Sequence, residues 1–576
     1  MNNPSRLEKD NLLFFLALAL AAVVGFSLRI YLLKDQVFAD DEWHGLYYVI
    51  DKSPIWLLTH FSIPGATCIP LNLYTWLLGA TTGWSETGLR LPLLVCGVLC
   101  VLVCPLLARE IIGTRRSAWL ALLLAISPLL IFYSRICRPY SAVILFAFTA
   151  ILFAARWARF GGWRAGSLYI IAAILAVYFH LFAIVTALAP ALAAIVYHLL
   201  TRTWGKLEKE AVKPPLSHWI IAAAIIMAVS ALLLSVPMLQ SVRSTFFTIA
   251  LKGTFGIQSL PRIAMLLAGT WQPVLVALFW AAFIIGAIEQ CRQNPWFGGM
   301  LVSLFPLHAL ALLLSHPDSA QSAIVLVRYS IPLVPVSLLF VACGIQAGLD
   351  AIATRSEFRP VLQNLIAFAC VAALLLAGPL PQCYVTPNNF TSHGAFQYRY
   401  GRMDWSHSFY SDLTPSDFTL NTIIQAEEVS SFYSTLAKDT DGRPIVEYPM
   451  MIGDHFNPLY YYQHFSKRPV IVGYATDVAL PRGLAAGNIY GDTYIDQVLS
   501  LVHDPSRLQF QNFVSMDDLS AMRARGVEYI VLHKRFEAQL YAVAMPLPDL
   551  VRLYKQYCEK IGAPAYEDAH VVAWHL

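Results

Sequence analysis

Apolar stretches close to 20 residues long recur through the first two thirds of the chain, at 11–33, 91–108, 119–134, 140–155, 167–179, 181–200, 218–237, 263–288, 299–314, 330–348 and 365–380. About 20 apolar residues in a helix match the hydrocarbon thickness of a bilayer, and no soluble surface could carry that many such segments. The 576 residues are 57% hydrophobic and 13% charged, with a mean hydropathy of +0.57, which excludes an ordinary globular protein. The spacing predicts a mainly α, polytopic membrane domain over residues 1–380 with about eleven transmembrane helices. Residues 1–33 have no small-residue cleavage site, so the first stretch is expected to stay as an anchor.

Charge divides the chain near residue 380. Residues 381–576 hold 21 of the 36 acidic and 15 of the 40 basic side chains, a net of −6 against +10 for the rest. The formal total of +4 therefore gives no reason to expect nucleic acid, and the basic excess fits topology and anionic lipid contact. Basic residues fall in alternate loops: Arg6 and Lys9, Arg109, Arg115 and Arg116, Arg156 to Arg164, and Arg202 to Lys213. Those loops are predicted to be cytoplasmic, which puts the segment after the first span and the whole C-terminal part on the outer face. Short β-rich runs in that part (PIVEYPM, RPVIVGY, VEYIVLH, HVVAWHL) alternate with helical patterns, predicting an α/β outer domain over 381–576.

Ten cysteines are scattered through the chain. Cys96, Cys100 and Cys104 fall on one helix face and read as packing, while Cys383 and Cys558 could pair on the outer side. In the outer domain, Asp454-His455 and Tyr460 to Tyr462 could meet a carbohydrate or simply form a loop and an aromatic helix face.

Chemistry concentrates in the outward segments. Asp40, Asp41 and Glu42 follow the first span in a domain otherwise poor in acids, with His44, Tyr47 and Tyr48 just beyond. On a helix Asp41, His44, Gly45 and Tyr48 would share a face, where a carboxylate could act as a general base. The same acids would also suit a helix N-terminus. Arg135 and Arg138, in SRICRPY, place two guanidinium groups at an outer helix end, suited to an anionic phosphate or to anchoring at lipid headgroups. Arg328, before SIPLVPVSLLF, and Arg243, in an outer loop over 238–262 with Lys252 and Arg262, are further candidates for clamping a lipid phosphate.

In order and spacing, DDEWHGLYY, GWSETGLRLPLLVCGVL and AWLALLLAISPLLIFYSRICRPYSAVILF resemble the integral-membrane glycosyltransferases of the GT-C superfamily. The nearest group is the family 39-like one, with protein O-mannosyltransferases and lipid A aminoarabinose transferases. The likeness is clear over residues 35–160, looser through His180 and Arg328, and limited to a general plan in the last 196. It implies an inverting transfer of a sugar from a polyprenyl-phosphate donor to a glycan, lipid or protein hydroxyl, in a bacterial inner membrane with the site facing the periplasm. It puts the Asp-Glu pair of the first outer loop on Asp41 and Glu42, Asp41 as base, with Asp40 an extra neighbour. Arg138, then Arg328, would hold the departing phosphate.

One departure stands out. Many relatives carry Pro-Pro-Leu in the first outer loop with a basic residue nearby, whereas this chain reads Thr67-Cys68-Ile69-Pro70-Leu71-Asn72. His60, Asn72 or His180 could replace the missing contact, or sit as ordinary interfacial residues. Asp-Asp-Glu alone does not complete a divalent-metal ligand set, so no metal or other cofactor is expected. A transporter of lipid-linked sugars would use similar groups and stays the alternative, although internal repeats are not evident.

Overall fold

A computed structural model describes residues 4–31, 52–61, 68–204, 212–250, 260–270, 272–315, 323–353, 429–439, 442–448, 516–524, 526–534 and 547–576, plus isolated residues that include Glu42 and Tyr48. The chain divides into two compact units. One comprises Met1–Leu33, Ile55–Val385 and Trp405–Asp412; the other comprises Lys34–Pro54, Thr386–Asp404 and Leu413–Leu576.

The first unit is helical and membrane-embedded. Among the described residues eight helices are long and apolar enough to cross a bilayer, and a bent pair makes nine. These are α1 (Pro4–Ile30), α4 (Glu86–Ile112), α7 (Tyr140–Phe160), α9 (Ile184–Trp204), α10 (Leu216–Ala250), α12 (Pro273–Gln293), α13 (Pro295–Ser315) and α15 (Leu333–Ala353). Shorter helices α2 (Pro54–Thr59), α3 (Ile69–Thr81), α8 (Trp163–Phe179), α11 (Leu260–Ala268) and α14 (Ala323–Tyr329) lie between them. Helix α7 is buried on nearly every face and forms the centre of the unit.

Two predicted spans are corrected. The stretch at 119–134 is α5 (Thr114–Ile126) and α6 (Pro128–Ser134), bent by 55° at Ser127. Pro128 has no N–H for the Leu124 carbonyl, so the ladder fails there. Arg29 of α1 replaces the lost donor: its guanidinium donates to Leu124 O at 3.2 Å, Ala125 O at 3.0 Å and Gly25 O at 2.9 Å. The stretch at 263–288 is broken at Gly269, whose φ of +72° ends α11, and the spanning helix starts afresh at Pro273. The predicted span at 365–380 lies outside the described residues.

Helices α12 and α15 approach to backbone contact. A methyl group on Gly286 would overlap the Phe340 carbonyl, and one on Gly344 the Ala282 carbonyl, so this crossing requires glycine. In a bilayer, where lipid tails are as apolar as leucine, such close packing is what holds helices together. Cys100 and Cys104 are buried along α4 with their sulfurs 3.8 Å apart, in keeping with a packing role.

In the second unit, β1 (Ile445–Tyr448), β2 (Tyr529–His533), β3 (Tyr566–Glu567) and β4 (Val571–His575) form one sheet in the order β1-β2-β4-β3. Strands β1 and β2 are parallel and the other pairings antiparallel. Helices α16 (Ser431–Leu436), α17 (Met516–Ala524) and α18 (Leu547–Ile561) accompany it. Three of the four β-rich runs are strands; RPVIVGY past Arg468, Asp454-His455 and Tyr460 to Tyr462 lie outside the described residues, as does Cys383. Cys558 is a free thiol. Buried polar groups are tied together here: Glu447 accepts from His533 Nε2 at 2.8 Å and from the Tyr433 hydroxyl at 3.3 Å, and buried Arg468 pairs with Asp439 and Glu528.

Candidate functional site

The segment between α6 and α7 sends its two arginines in different directions. Helix α6 ends at Ser134, a tight turn follows (Arg138 N–H to Ile136 O, 2.9 Å), and Pro139, with φ of −67°, leads into α7. Fully buried Arg135 donates to the carbonyls of Leu28, Arg29 and Tyr31 at 3.3, 2.8 and 2.9 Å, where the last turn of α1 has no helical donors left. Arg138, three residues on, is buried at the positive end of α7. Beside it the Cys137 thiol donates to Leu89 O at 3.4 Å.

His180 stands where α8 gives way to α9. Its N–H still bonds Ala176 O, but φ of −160° and ψ of 121° take it out of the helix, and a single 3-10 turn, Leu181–Ala183, restarts the chain into α9. Its Nδ1 accepts from the Phe182 N–H at 3.3 Å, capping that turn. The imidazole is enclosed by the rings of Tyr140, Phe182 and Tyr329, at 5.8, 6.0 and 5.8 Å between centroids. Arg328 extends over the Tyr329 ring at 5.9 Å. Burial pushes the His180 imidazole down to about 3, and the charges of Arg138 and Arg328 push the same way, so it is neutral at physiological pH. Arg138 also acts on Cys68, the N-cap residue of α3, whose thiol burial pushes up to about 12 against opposing pulls from the Leu71 backbone and Arg138.

The first unit therefore joins Arg138, Arg328, His180 and Cys68, with Tyr140 and Tyr329 as walls. Two helices of 21 residues, α7 and α9, start within this group, so their dipoles add to the positive potential of two permanent cations. Such a constellation has the charge and the helix-end donors suited to an anion. The sequence pattern assigned Cys68, Tyr140 and Tyr329 no role in the site, although Tyr140 ends the SRICRPY motif and Tyr329 follows Arg328.

The other sequence-derived candidates are spread more widely. Asn72 is buried in the first turn of α3, its N–H on Cys68 O at 3.1 Å. His60 is engaged locally, stacked on Trp56 at 4.5 Å with Nδ1 2.9 Å from Thr59 Oγ1. Arg243 falls in the last part of α10, and its side chain lies outside the described residues. Glu42 is buried and Tyr48 half-buried, both in the segment that falls with the second unit. Asp40, Asp41 and His44 lie outside the described residues. Among the described residues no three His, Cys, Asp or Glu side chains group to hold a metal ion.

No protein-family profile matches the sequence, and no curated protein does. Solved structures are similar at low identity. ArnT from Cupriavidus metallidurans, in its apo state, matches with a TM-score of 0.49 and 14% identity over 97% of both chains. The same protein bound to undecaprenyl phosphate matches with a TM-score of 0.49 at 13% identity, again over 97% of both chains. The oligosaccharyltransferase AglB from Archaeoglobus fulgidus, in complex with an inhibitory peptide and a dolichol-phosphate, matches with a TM-score of 0.44 and 14% identity over 90% of this chain and 69% of that one.

Proposed function

We propose that this chain is a GT-C-type glycosyltransferase that moves a sugar from a polyprenyl-phosphate donor to a hydroxyl of a cell-envelope glycan, lipid or protein. The observation that carries the reading is the convergence of Arg138, Arg328 and the starts of α7 and α9 around neutral His180. Its second support is the sequence resemblance over residues 35–160.

In this mechanism Asp41 takes the proton of the acceptor hydroxyl as its oxygen attacks C1 of the sugar from the face opposite the phosphate, and Glu42 positions the acceptor. The C1–O bond to phosphate breaks with inversion, and the lipid phosphate departs as a dianion. Arg138 and Arg328 bind that dianion more strongly than the monoanionic diester, and this differential stabilisation is what lowers the barrier. No metal or other cofactor takes part: chelation is expected to leave activity unchanged, and loss on chelation with recovery on adding Mg²⁺ or Mn²⁺ overturns that statement. The chain resides in a bacterial inner membrane with the site and the C-terminal unit in the periplasm.

The test is transfer from a panel of polyprenyl-phosphate sugars to membrane acceptors, wild type against Asp41→Asn, followed by mass spectrometry of product and released lipid phosphate. Product from wild type and a loss of about 10²–10⁴-fold in the variant, with donor binding kept, supports the reading. Donor bound and moved across vesicles without turnover, unaffected by Asp41→Asn, replaces it with a transporter of lipid-linked sugars.

A further inference from the structure

Among the groups at the anion site, His180 alone is fixed in its protonation pattern by the backbone. Its Nδ1 accepts the Phe182 N–H, so that nitrogen carries no proton, and a neutral imidazole then holds its single proton on Nε2. The ring is 7% exposed and walled by Tyr140, Phe182 and Tyr329, and among the described residues no hydrogen bond is made by Nε2. The fold thus holds an N–H donor of defined tautomer on a ring packed against Tyr140 and Tyr329, the close chain neighbours of Arg138 and Arg328.

We propose that His180 is a binding residue of the phosphate site that donates its Nε2–H to a phosphate oxygen of the lipid donor, as a neutral imidazole that neither gives nor takes a proton during transfer. The proposal rests on the glycosyltransferase reading and specifies one contact within it. Its physical sense lies in the charge balance. A further cation would hold the dianionic product more tightly and slow its release, whereas a neutral donor orients the phosphate without adding charge. Burial and the adjoining Arg138 and Arg328 keep the ring neutral, and the Phe182 N–H blocks the nitrogen on which a second proton would sit. Among the described residues, the charged groups that act on His180 are Arg138 and Arg328, and its ring neighbours are Tyr140, Phe182 and Tyr329.

The experiment measures binding of a short-chain polyprenyl phosphate to the purified full-length protein for wild type, His180→Gln, His180→Asn, His180→Phe and Arg138→Gln, between pH 5.5 and 8. Glutamine carries an amide N–H near the position of Nε2; asparagine stops short of it; phenylalanine keeps the ring packing and has no donor. The expected result is near-wild-type affinity for His180→Gln and a loss of about 10–100-fold for His180→Asn and His180→Phe, the range for a hydrogen bond to a charged group. Wild type and His180→Gln are expected to follow the same pH curve, since the titration of the phosphate is common to both. Unchanged affinity in His180→Phe, or tighter wild-type binding at low pH that His180→Gln loses, overturns the proposal while leaving the transferase reading intact. Failure of wild type to bind polyprenyl phosphate overturns the reading itself. If His180→Phe does not fold, the contrast between Gln and Asn decides.

Discussion

Two sets of buried arginines lie within the first unit and differ in which end of a helix they meet. Arg29 and Arg135 sit at helix C-termini: Arg29 on the carbonyls where α5 breaks, Arg135 on those where α1 ends. There the guanidinium meets the negative end of a dipole and replaces missing backbone donors on the carbonyls of a broken or ending helix. Arg138 instead sits before the N-terminus of α7, beside His180 at the start of α9, where the dipoles add to its charge. The first arrangement ties helix ends together; the second gathers positive potential at helix starts. The contrast shows why an arginine in a membrane protein cannot be assigned from its type or depth alone: Arg135 and Arg138 occupy one heptapeptide and one boundary, yet face opposite helix poles.

Substitution at the second set gives the largest expected effect. Arg138→Gln is expected to lower transfer by about 10²–10³-fold, as removal of a donor aimed at developing negative charge typically does. The loss of transfer should exceed any loss of folded protein, so a variant that mainly unfolds would break the comparison. The first set should behave in the reverse way. Arg29→Ala or Arg135→Ala strands buried carbonyls, each costing about 1–3 kcal/mol, and is expected to lower stability while each folded molecule keeps its activity. Specific activity corrected for the folded fraction separates the two outcomes.

A subtler effect should appear with pH. His180 is neutral when folded, down to about 3, but titrates near 6.5 when unfolded. Stability is therefore complete above about 6.5 and falls as the pH drops, because the unfolded chain takes up a proton that the folded one refuses. The slope from this one group is about 1.4 kcal/mol per pH unit, and thermal unfolding from pH 7.5 to 5 should show it reduced in His180→Gln. The smallest change is expected at His60, whose contacts are local: His60→Gln should alter transfer by less than about twofold, a shift within about ±0.5 kcal/mol. A large loss there would mean that a residue outside the Arg138 group also meets the donor.

Length and apolarity by themselves determined the membrane class and most of the spanning helices, because about 20 apolar residues have one stable placement in a bilayer. Composition and alternation likewise marked three of the four strand runs in the C-terminal part, and the short β3, two residues long, left no pattern to read. Breaks inside apolar stretches were less legible. Pro128, and Gly269 with Thr270, Gln272 and Pro273 after it, mark the two breaks in the sequence, but the apolar residues on either side read as one span in each case. Arg138, Arg328 and His180 were each visible as polar residues at helix ends, but only the tertiary structure joined them around one ring and drew Arg135 away to α1. The physical reason is that the sequence specifies which groups are costly to bury, whereas the packing of helix ends decides which of those groups are satisfied by the protein's own backbone and which are set against helix N-termini, where an anion belongs.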